Sequence, residues 1–242
     1  MRTNETGHYK NVASLNALKV FAESLGGAFA PQKEILQLQN LQNLVNEVNA
    51  LHNAVREQIN TTALSVDQRQ LVFQNVKPLS TRVINTMSST NVNEATIKDA
   101  KFFNAKIQGS RIKKKTAETD PEKERNTNSV SRQSYDSIYE NFSNLNDLLI
   151  QDGNYNPTET DINNAALTTK QDEMLAANQN IAMKLTELAN KRIMRNNRFY
   201  VDGNCLINVG RGIKQYIRGK YGVQSPEFAV IKNLLFRDLK IK

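Results

Sequence analysis

Basic side chains are concentrated in the last quarter of the chain, at spacings that suit the binding of an anion. Between Lys184 and Lys242 there are thirteen lysines or arginines against four acids, a net charge of +9 in a chain that carries +8 overall. Arg211, Lys214 and Arg218 stand at i, i+3 and i+7, so a helix would present all three on one face. The candidate polyanion-binding residues are Lys191, Arg192, Arg195, Arg198, Arg211, Lys214, Arg218 and Lys220.

Two interpretations of this basic cluster stay open. A localised positive charge is the electrostatic footprint of a protein that binds DNA, RNA or another polyanion. Basic residues near the C-termini of helices also complement the helix dipole and keep the surface solvated. The remainder of the chain is close to neutral, so any specialised charged surface is expected in the C-terminal part.

Residue patterns for catalysis or metal binding are not visible in the sequence. A di-iron site in a helical bundle needs Glu-x-x-His pairs from two helices, and the segment Glu5-Thr6-Gly7-His8 supplies one such pair. The other histidine, His52, lies beside an apolar helical stripe and is expected to be a partly buried packing residue. Cys205 has apolar neighbours and is expected to be a buried, inert thiol. We therefore predict no enzymatic activity, no cofactor and no metal.

The elements that carry these residues are expected to be helices. The chain contains 10 glycines and 5 prolines, few for the many turns of a strand-rich fold, and apolar residues recur at intervals of three and four. A first amphipathic helix is predicted over Tyr9–Leu25. Pro31 and Pro157 are predicted to open two long helices, since proline is well tolerated in a first helical turn.

Several turns and caps complete the predicted helices. A turn is expected at Thr61–Ser65, and Pro78 is expected to kink or interrupt the helix that follows. Asn93 is predicted to cap a short helix. Ser225-Pro226-Glu227 has the residue types of a helix start, and its helix is predicted to bury Phe228, Ile231, Leu234 and Leu235.

The order of these elements repeats along the chain, which predicts two related helical hairpins that pack as one four-helix-type bundle with shorter flanking helices. The segments are a disordered lead-in at residues 1–8, a first hairpin unit at 9–107, a charged linker at 108–131 and a second hairpin unit at 132–242. The linker is assigned from its mixed charge and scarcity of apolar residues. An internal duplication would explain the repeated order.

The C-terminal stretch Tyr221-Gly222-Val223-Gln224-Ser225-Pro226-Glu227-Phe228 resembles the ending of small, uncharacterised helical proteins of Bacteroidota. The asparagine-rich composition is similar as well. The resemblance implies an all-helical fold. It implies no activity and assigns no functional residue.

The sequence favours a non-enzymatic structural or interaction protein that acts through helical surfaces, with a protein partner or a second copy of itself. The alternative is a helical module that binds DNA or RNA through the basic C-terminal face. No apolar run reaches the ~18 residues of a transmembrane helix, and Met1–Asn11 lacks the apolar segment of a secretory signal. A cytoplasmic location is expected, although a component of a virion or other assembly would have the same features.

Overall fold

The computed structural model describes residues 5–109 and 133–239, and all regular secondary structure within these ranges is helical. The predicted all-α class is confirmed. The helices are α1 (Thr6–Ser24), α2 (Leu38–Phe73), α3 (Val76–Met87), α4 (Glu94–Gln108), α5 (Tyr135–Asp152), α6 (Asn164–Asn196), α7 (Leu206–Tyr221) and α8 (Pro226–Ile231). Short 3-10 turns at Gly26–Ala28 and Glu34–Leu36 precede α2, and a π-helical turn at Asn197–Val201 follows α6.

The helices form two compact units, and each unit takes elements from both halves of the sequence. Unit 1 combines the described residues of Met1–Thr62 with those of Lys184–Lys242, whereas unit 2 is built from the described residues of Ala63–Met183. This division differs from the predicted hairpin units at 9–107 and 132–242. The physical reason is that α1 packs on α7 and α4 packs on α5, so each unit is joined by contacts between the two halves in addition to contacts within them.

The core of unit 1 is formed by apolar stripes on its helices. On α1, the buried residues Val12, Leu15, Leu18 and Ala22 recur at intervals of three and four, as a helix facing a core requires. On α7, Val209, Ile213 and Ile217 form the matching stripe. Cys205 belongs to this core and is a buried free cysteine, in agreement with its predicted packing role.

Unit 2 is built by α3, α4 and α5 together with parts of α2 and α6. Its fully buried side chains include Met87, Ile107, Phe142, Leu145 and Leu149. Polar contacts join the ends of its helices: Asp152 accepts a hydrogen bond from Thr96 Oγ1 at 2.8 Å.

Helix α2 is continuous, so the predicted turn at Thr61–Ser65 is wrong. The hydroxyl of Thr61 donates to the carbonyl of Glu57 at 3.0 Å, and that of Thr62 donates to the carbonyl of Gln58 at 2.7 Å. A threonine hydroxyl that donates to the carbonyl four residues earlier is compatible with a continuous helix. No glycine or proline interrupts the helix at this point. The chain breaks instead just after Phe73, because the ring of Pro78 clashes with the carbonyl four residues earlier in a continuous helix.

Neither long helix opens at its proline, so the predicted starts at Pro31 and Pro157 are wrong. Helix α2 begins at Leu38 and α6 begins at Asn164, where the side chain of Asn163 accepts a hydrogen bond from Ala166 N at 2.9 Å. The aromatic residue two positions before each proline explains the difference, because Phe29 and Tyr155 are buried and anchor the chain in a non-helical path.

The caps that depend on local chemistry were predicted correctly. Asn93 accepts a hydrogen bond from Thr96 N at 2.9 Å at the start of α4. Ser225 accepts one from Phe228 N at 3.1 Å at the start of α8. Gly222, with φ of 94°, ends α7. Local hydrogen bonds and positive φ angles need only neighbouring residues, which is why the sequence identifies them.

Three other boundaries differ from the prediction. Residues 1–4 lie outside the described residues, but α1 begins at Thr6, so the predicted lead-in at 1–8 is too long. Helix α8 ends at Ile231, and Leu234 and Leu235 belong to an extended segment rather than to the last helix. Of the predicted linker at 108–131, Gln108 is the last residue of α4, Gly109 is its C-cap, and the rest lies outside the described residues.

Candidate functional site

The eight basic candidate residues all lie in unit 1, and they fall into two groups with different surroundings. Lys191, Arg192 and Arg195 are on α6, and Arg198 is on the π-helical turn. Arg211, Lys214, Arg218 and Lys220 are on α7. The structure therefore distributes the cluster over two elements, and the partners of each group decide what it can do.

In the first group, Arg195 is a structural residue at the centre of a polar network. Its side chain is 2% exposed and forms an ion pair with Glu5, which also pairs with Arg192 Nη2 at 3.2 Å. Burial alone would raise the pKa of the Glu5 carboxyl, but the charge and hydrogen bond of Arg195 outweigh it and lower that pKa. The carboxylate is thereby held in its charged form, which a nearly buried guanidinium requires.

His8 connects this ion pair to the π-helical turn. Arg195 Nη2 lies 3.1 Å from His8 Nε2, and His8 Nδ1 lies 2.8 Å from the hydroxyl of Tyr200. Because arginine can only donate, Nε2 must accept, and the proton of the neutral ring is assigned to Nδ1, which donates to Tyr200. Burial and the charge of Arg195 lower the pKa of His8 to about 4.

The network continues through Tyr200 to the C-terminal segment. Asn11 Nδ2 donates to the Tyr200 hydroxyl at 3.3 Å and to the backbone carbonyl of Arg237 at 2.8 Å. Asn11 Oδ1 accepts a hydrogen bond from Arg237 N at 3.0 Å. Burial raises the pKa of Tyr200 to about 12. Sequence analysis assigned Glu5 and His8 to a disordered lead-in, whereas the structure places them in contact with groups almost two hundred residues away.

The other two basic residues of the first group also have partners within unit 1. Arg198 Nε donates to Glu47 Oε2 at 2.7 Å, and its Nη1 donates to the carbonyl of Asn204 at 2.7 Å. Lys191 Nζ donates to Gln58 Oε1 at 2.8 Å. These contacts hold α2, α6 and the following loop together, so the group contributes to the stability of unit 1.

In the second group, Arg211, Lys214 and Arg218 share one face of α7, as their spacing predicted. Together with the extended segment after α8 they line a cleft of about 470 Å³ within unit 1. The residues that define this α7 cleft are Arg211, Lys214, Arg218, Leu234, Leu235 and Phe236. Cations therefore form one side of the cleft, and apolar side chains form the other.

The three cations of the α7 cleft differ in their internal hydrogen bonds and in their exposure to solvent. Lys214 Nζ donates to the carbonyls of Lys232 at 2.9 Å and Leu234 at 2.7 Å, and burial lowers its pKa. Arg211 Nη2 donates to the carbonyl of Phe236 at 3.0 Å. Arg218 is exposed on the open side. Lys214 and Arg211 thus hold the extended segment in place, while Arg218 faces solvent. Lys220 lies apart from them and donates to the carbonyl of Ala28.

The apolar side of the α7 cleft was missed by sequence analysis. The ring of Phe236 packs directly against the backbone of Gly210, where a Cβ would lie 2.6 Å from Cζ of that ring. Gly212 similarly accommodates Leu36, with 3.1 Å between the position of a Cβ and Leu36 Cδ2. Two glycines inside a strongly amphipathic helix were the available signal, since such glycines often mark a close approach of another segment.

His52 agrees with its predicted packing role. Its ring centroid lies 5.7 Å from that of Tyr9, and burial together with the charge of Arg195 lowers its pKa. In the described residues, no group of three or more histidine, cysteine or acidic side chains is arranged to hold a metal ion. None of the described helices is long and apolar enough to cross a membrane.

Comparisons with known proteins gave no match: no family model, curated protein or solved structure is significantly similar to this chain. The resemblance of the C-terminal stretch to helical proteins of Bacteroidota therefore stays a prediction.

Proposed function

We propose that this chain is a non-enzymatic interaction protein, and that the α7 cleft of unit 1 binds an acidic, amphipathic helical segment of a protein. The observation that carries the proposal is the pairing of a cationic helical face with an apolar wall that contains Leu235, whose side chain is 55% exposed. A helix that lies in such a groove can bury its apolar face and direct its carboxylates towards the cations.

The partners of the other basic residues disfavour the nucleic-acid alternative. Binding to a duplex gains free energy when several cations replace the counterions of the phosphates. Of the eight basic candidates, seven form hydrogen bonds to described residues of unit 1, and Arg218 is the exception. Arg192, Arg195 and Arg198 are also ion-paired to Glu5 or Glu47, so part of the predicted polyanion face is already neutralised within the protein.

The polar network around Arg195 supports the non-enzymatic part of the proposal. General acid–base catalysis works best with a pKa near the working pH, but the pKa values of His8 and Tyr200 lie at about 4 and about 12. Each of these groups also has a structural partner. The cytoplasmic location expected from the sequence stays a prediction.

We further propose that α1–α4 and α5–α8 arose by duplication. Corresponding positions support this origin: Asn11, Val12 and Leu15 on α1, and Asn141, Phe142 and Leu145 on α5, are all buried. A buried aromatic residue stands two positions before a proline in both halves. Each unit then combines the first helices of one copy with the later helices of the other. On this view, the α7 cleft is a specialisation of the second, basic copy.

A model peptide tests the function. The full chain is titrated into a fluorescently labelled helical peptide with leucines at i, i+3 and i+7 and glutamates beside them, and binding is followed by anisotropy. We expect saturable binding that Arg218→Glu weakens about tenfold, the size expected for a reversed charge at an interface rim. Lys101→Glu changes an exposed cation in unit 2 and serves as the matched control.

Two further ligands complete the test. A peptide with lysines in place of the glutamates should not bind. A labelled 20-base-pair duplex at low salt should bind no more tightly than the acidic peptide, and Arg218→Glu should alter the two affinities differently. Tight, salt-dependent binding of the duplex without binding of the acidic peptide would overturn the proposal in favour of the nucleic-acid alternative.

A further inference from the structure

We infer that the occupant of the α7 cleft is a second copy of this chain, which inserts an exposed ridge of its α2 helix. The ridge consists of Leu64, Asp67 and Leu71, all in unit 2. The inference rests on the proposed function, since it names the partner of the same cleft. It adds a second interaction surface and a definite mode of self-assembly.

The ridge has the shape and composition of an amphipathic ligand. Leu64 and Leu71 are 69% and 63% exposed, and Leu64 is the most exposed large apolar side chain of the described residues. Asp67 is exposed as well and lies between them at i+3 from Leu64 and i−4 from Leu71, so all three share one helical face. The two leucines therefore expose apolar surface on either side of a carboxylate.

The groove beside the ridge contains a second carboxylate, which is already paired. Leu71 borders a groove of about 570 Å³ within unit 2, and Glu173 on α6 lines the same groove. Glu173 is exposed and pairs with Lys170 at 3.1 Å, which leaves Asp67 as the carboxylate that can pair with a cation of another molecule. The ridge is therefore apolar with an acidic centre.

The α7 cleft is complementary to this ridge both in apolar surface and in charge. Its apolar wall, with Leu234 and Leu235, can cover the two leucines, and Arg218 at its open side can pair with Asp67. Another exposed apolar pair, Ile193 and Met194 on α6, stands between Arg192 and Arg195. No acidic residue lies within four positions of that pair in the sequence, so charge complementarity favours the α2 ridge.

Because the cleft and the ridge are different surfaces, their contact is heterologous. A copy that binds through its cleft keeps its own ridge available, and a third copy can then add at that ridge. Self-association should therefore continue beyond the dimer as the concentration rises. Salt should weaken it, because the Asp67–Arg218 pair lies at the rim of the interface.

Size-exclusion chromatography with light scattering tests the inference on the full chain. We expect the wild-type mass to rise above 27.3 kDa with concentration at low salt. Arg218→Glu and Asp67→Arg should each restore the monomer at concentrations where the wild type associates. Lys101→Glu and Asp147→Arg reverse exposed charges elsewhere in unit 2 and should leave the association unchanged. Circular dichroism confirms that all variants are folded.

A mixing experiment decides the mode of contact. The Arg218→Glu chain keeps an intact ridge, the Asp67→Arg chain keeps an intact cleft, and the two substituted side chains are complementary to each other. Each variant alone should stay monomeric, whereas an equimolar mixture should associate as the wild type does. The double variant should associate like the wild type, because the pair is then restored with reversed charges.

The outcomes separate this inference from the proposed function. A wild-type chain that stays monomeric at high concentration and low salt overturns self-association. If that chain still binds the acidic peptide, the proposed function stands and the cleft serves another protein. If the chain binds neither a second copy of itself nor the acidic peptide, both proposals fail. A mixture of the two variants that stays monomeric also overturns the inference.

Discussion

Arg195 Nη2 donates a hydrogen bond to His8 Nε2 over 3.1 Å, so a nearly buried guanidinium at the end of α6 binds a neutral imidazole in the first turn of α1. This contact joins residues 187 positions apart. It makes the stability of unit 1 depend on the protonation state of His8, because a protonated ring could not accept the bond.

The first prediction concerns pH. The pKa of His8 is lowered from its ordinary value of 6.5 to about 4, so below pH 6.5 the unfolded state takes up a proton that the folded state refuses. The stabilisation is fully present above pH 6.5 and is lost as the pH falls towards 4. We expect the melting temperature to fall over this window, as differential scanning fluorimetry can measure.

His8→Gln isolates this effect, since an amide can accept from Arg195 and donate to Tyr200 without titrating. The variant should be less sensitive to pH between 6.5 and 5. His52→Gln is the comparison, because burial also lowers the pKa of His52 but Arg195 does not hydrogen-bond to it. The explanation is wrong if His8→Gln retains the full pH dependence of the wild type.

The second prediction concerns the ion pair between Glu5 and Arg195. Glu5→Gln leaves the charge of Arg195 buried without a carboxylate, and we expect a loss of about 2–3 kcal/mol in the free energy of unfolding. Urea denaturation provides the measurement. The double variant Glu5→Gln/Arg195→Met should be more stable than Glu5→Gln, because it removes the uncompensated charge.

Glu47→Gln is the matched control for this ion pair. Glu47 pairs with Arg198 at 2.7 Å, but the carboxylate side chain is 49% exposed. An exposed pair contributes less than about 1 kcal/mol, so the control should lie close to the wild type. Equal losses for the two glutamate variants would contradict a special role of burial at Arg195.

The third prediction concerns the close approach of Phe236 to α7. Gly210→Ala places a methyl group against the Phe236 ring, and we expect a loss of about 1–3 kcal/mol from overpacking, measured by urea denaturation. Phe236→Leu should reduce this loss in the double variant. Gly219→Ala lies on the same helix with nothing within 4 Å of its Cβ, and it should stabilise by about 0.5–1 kcal/mol. A loss of stability in both variants would indicate that α7 tolerates no alanine in place of glycine, whether or not another segment packs against it.

The fourth prediction concerns the assembly of the units. A site-specific protease sequence inserted after Thr119 allows the chain to be cut between α4 and α5. Since each unit combines elements from before and after the cut, the two fragments should co-elute from size exclusion under native conditions. They should also unfold together, whereas either fragment expressed alone should be poorly structured. Two hairpin units that fold independently would instead separate as folded fragments.

Local chemistry made part of the fold predictable. Asn93 and Ser225 cap helices through bonds to residues three positions away, and Gly222 ends a helix through its own φ angle. The helical face of Arg211, Lys214 and Arg218 was predictable for the same reason, since periodicity alone places residues on a face. The starts of the long helices were not, because Phe29 and Tyr155 are buried in cores that distant parts of the chain complete.

The amino-acid sequence alone determined that the chain is helical, where several caps lie, and that the positive charge belongs to its last quarter. Tertiary structure decided which of those charges remain available. Arg195 and Arg198 are neutralised by Glu5 and Glu47, which are far away in sequence, whereas Arg218 faces solvent beside Leu235. Ion pairs and burial depend on which segments meet in space, and neither periodicity nor composition contains that information.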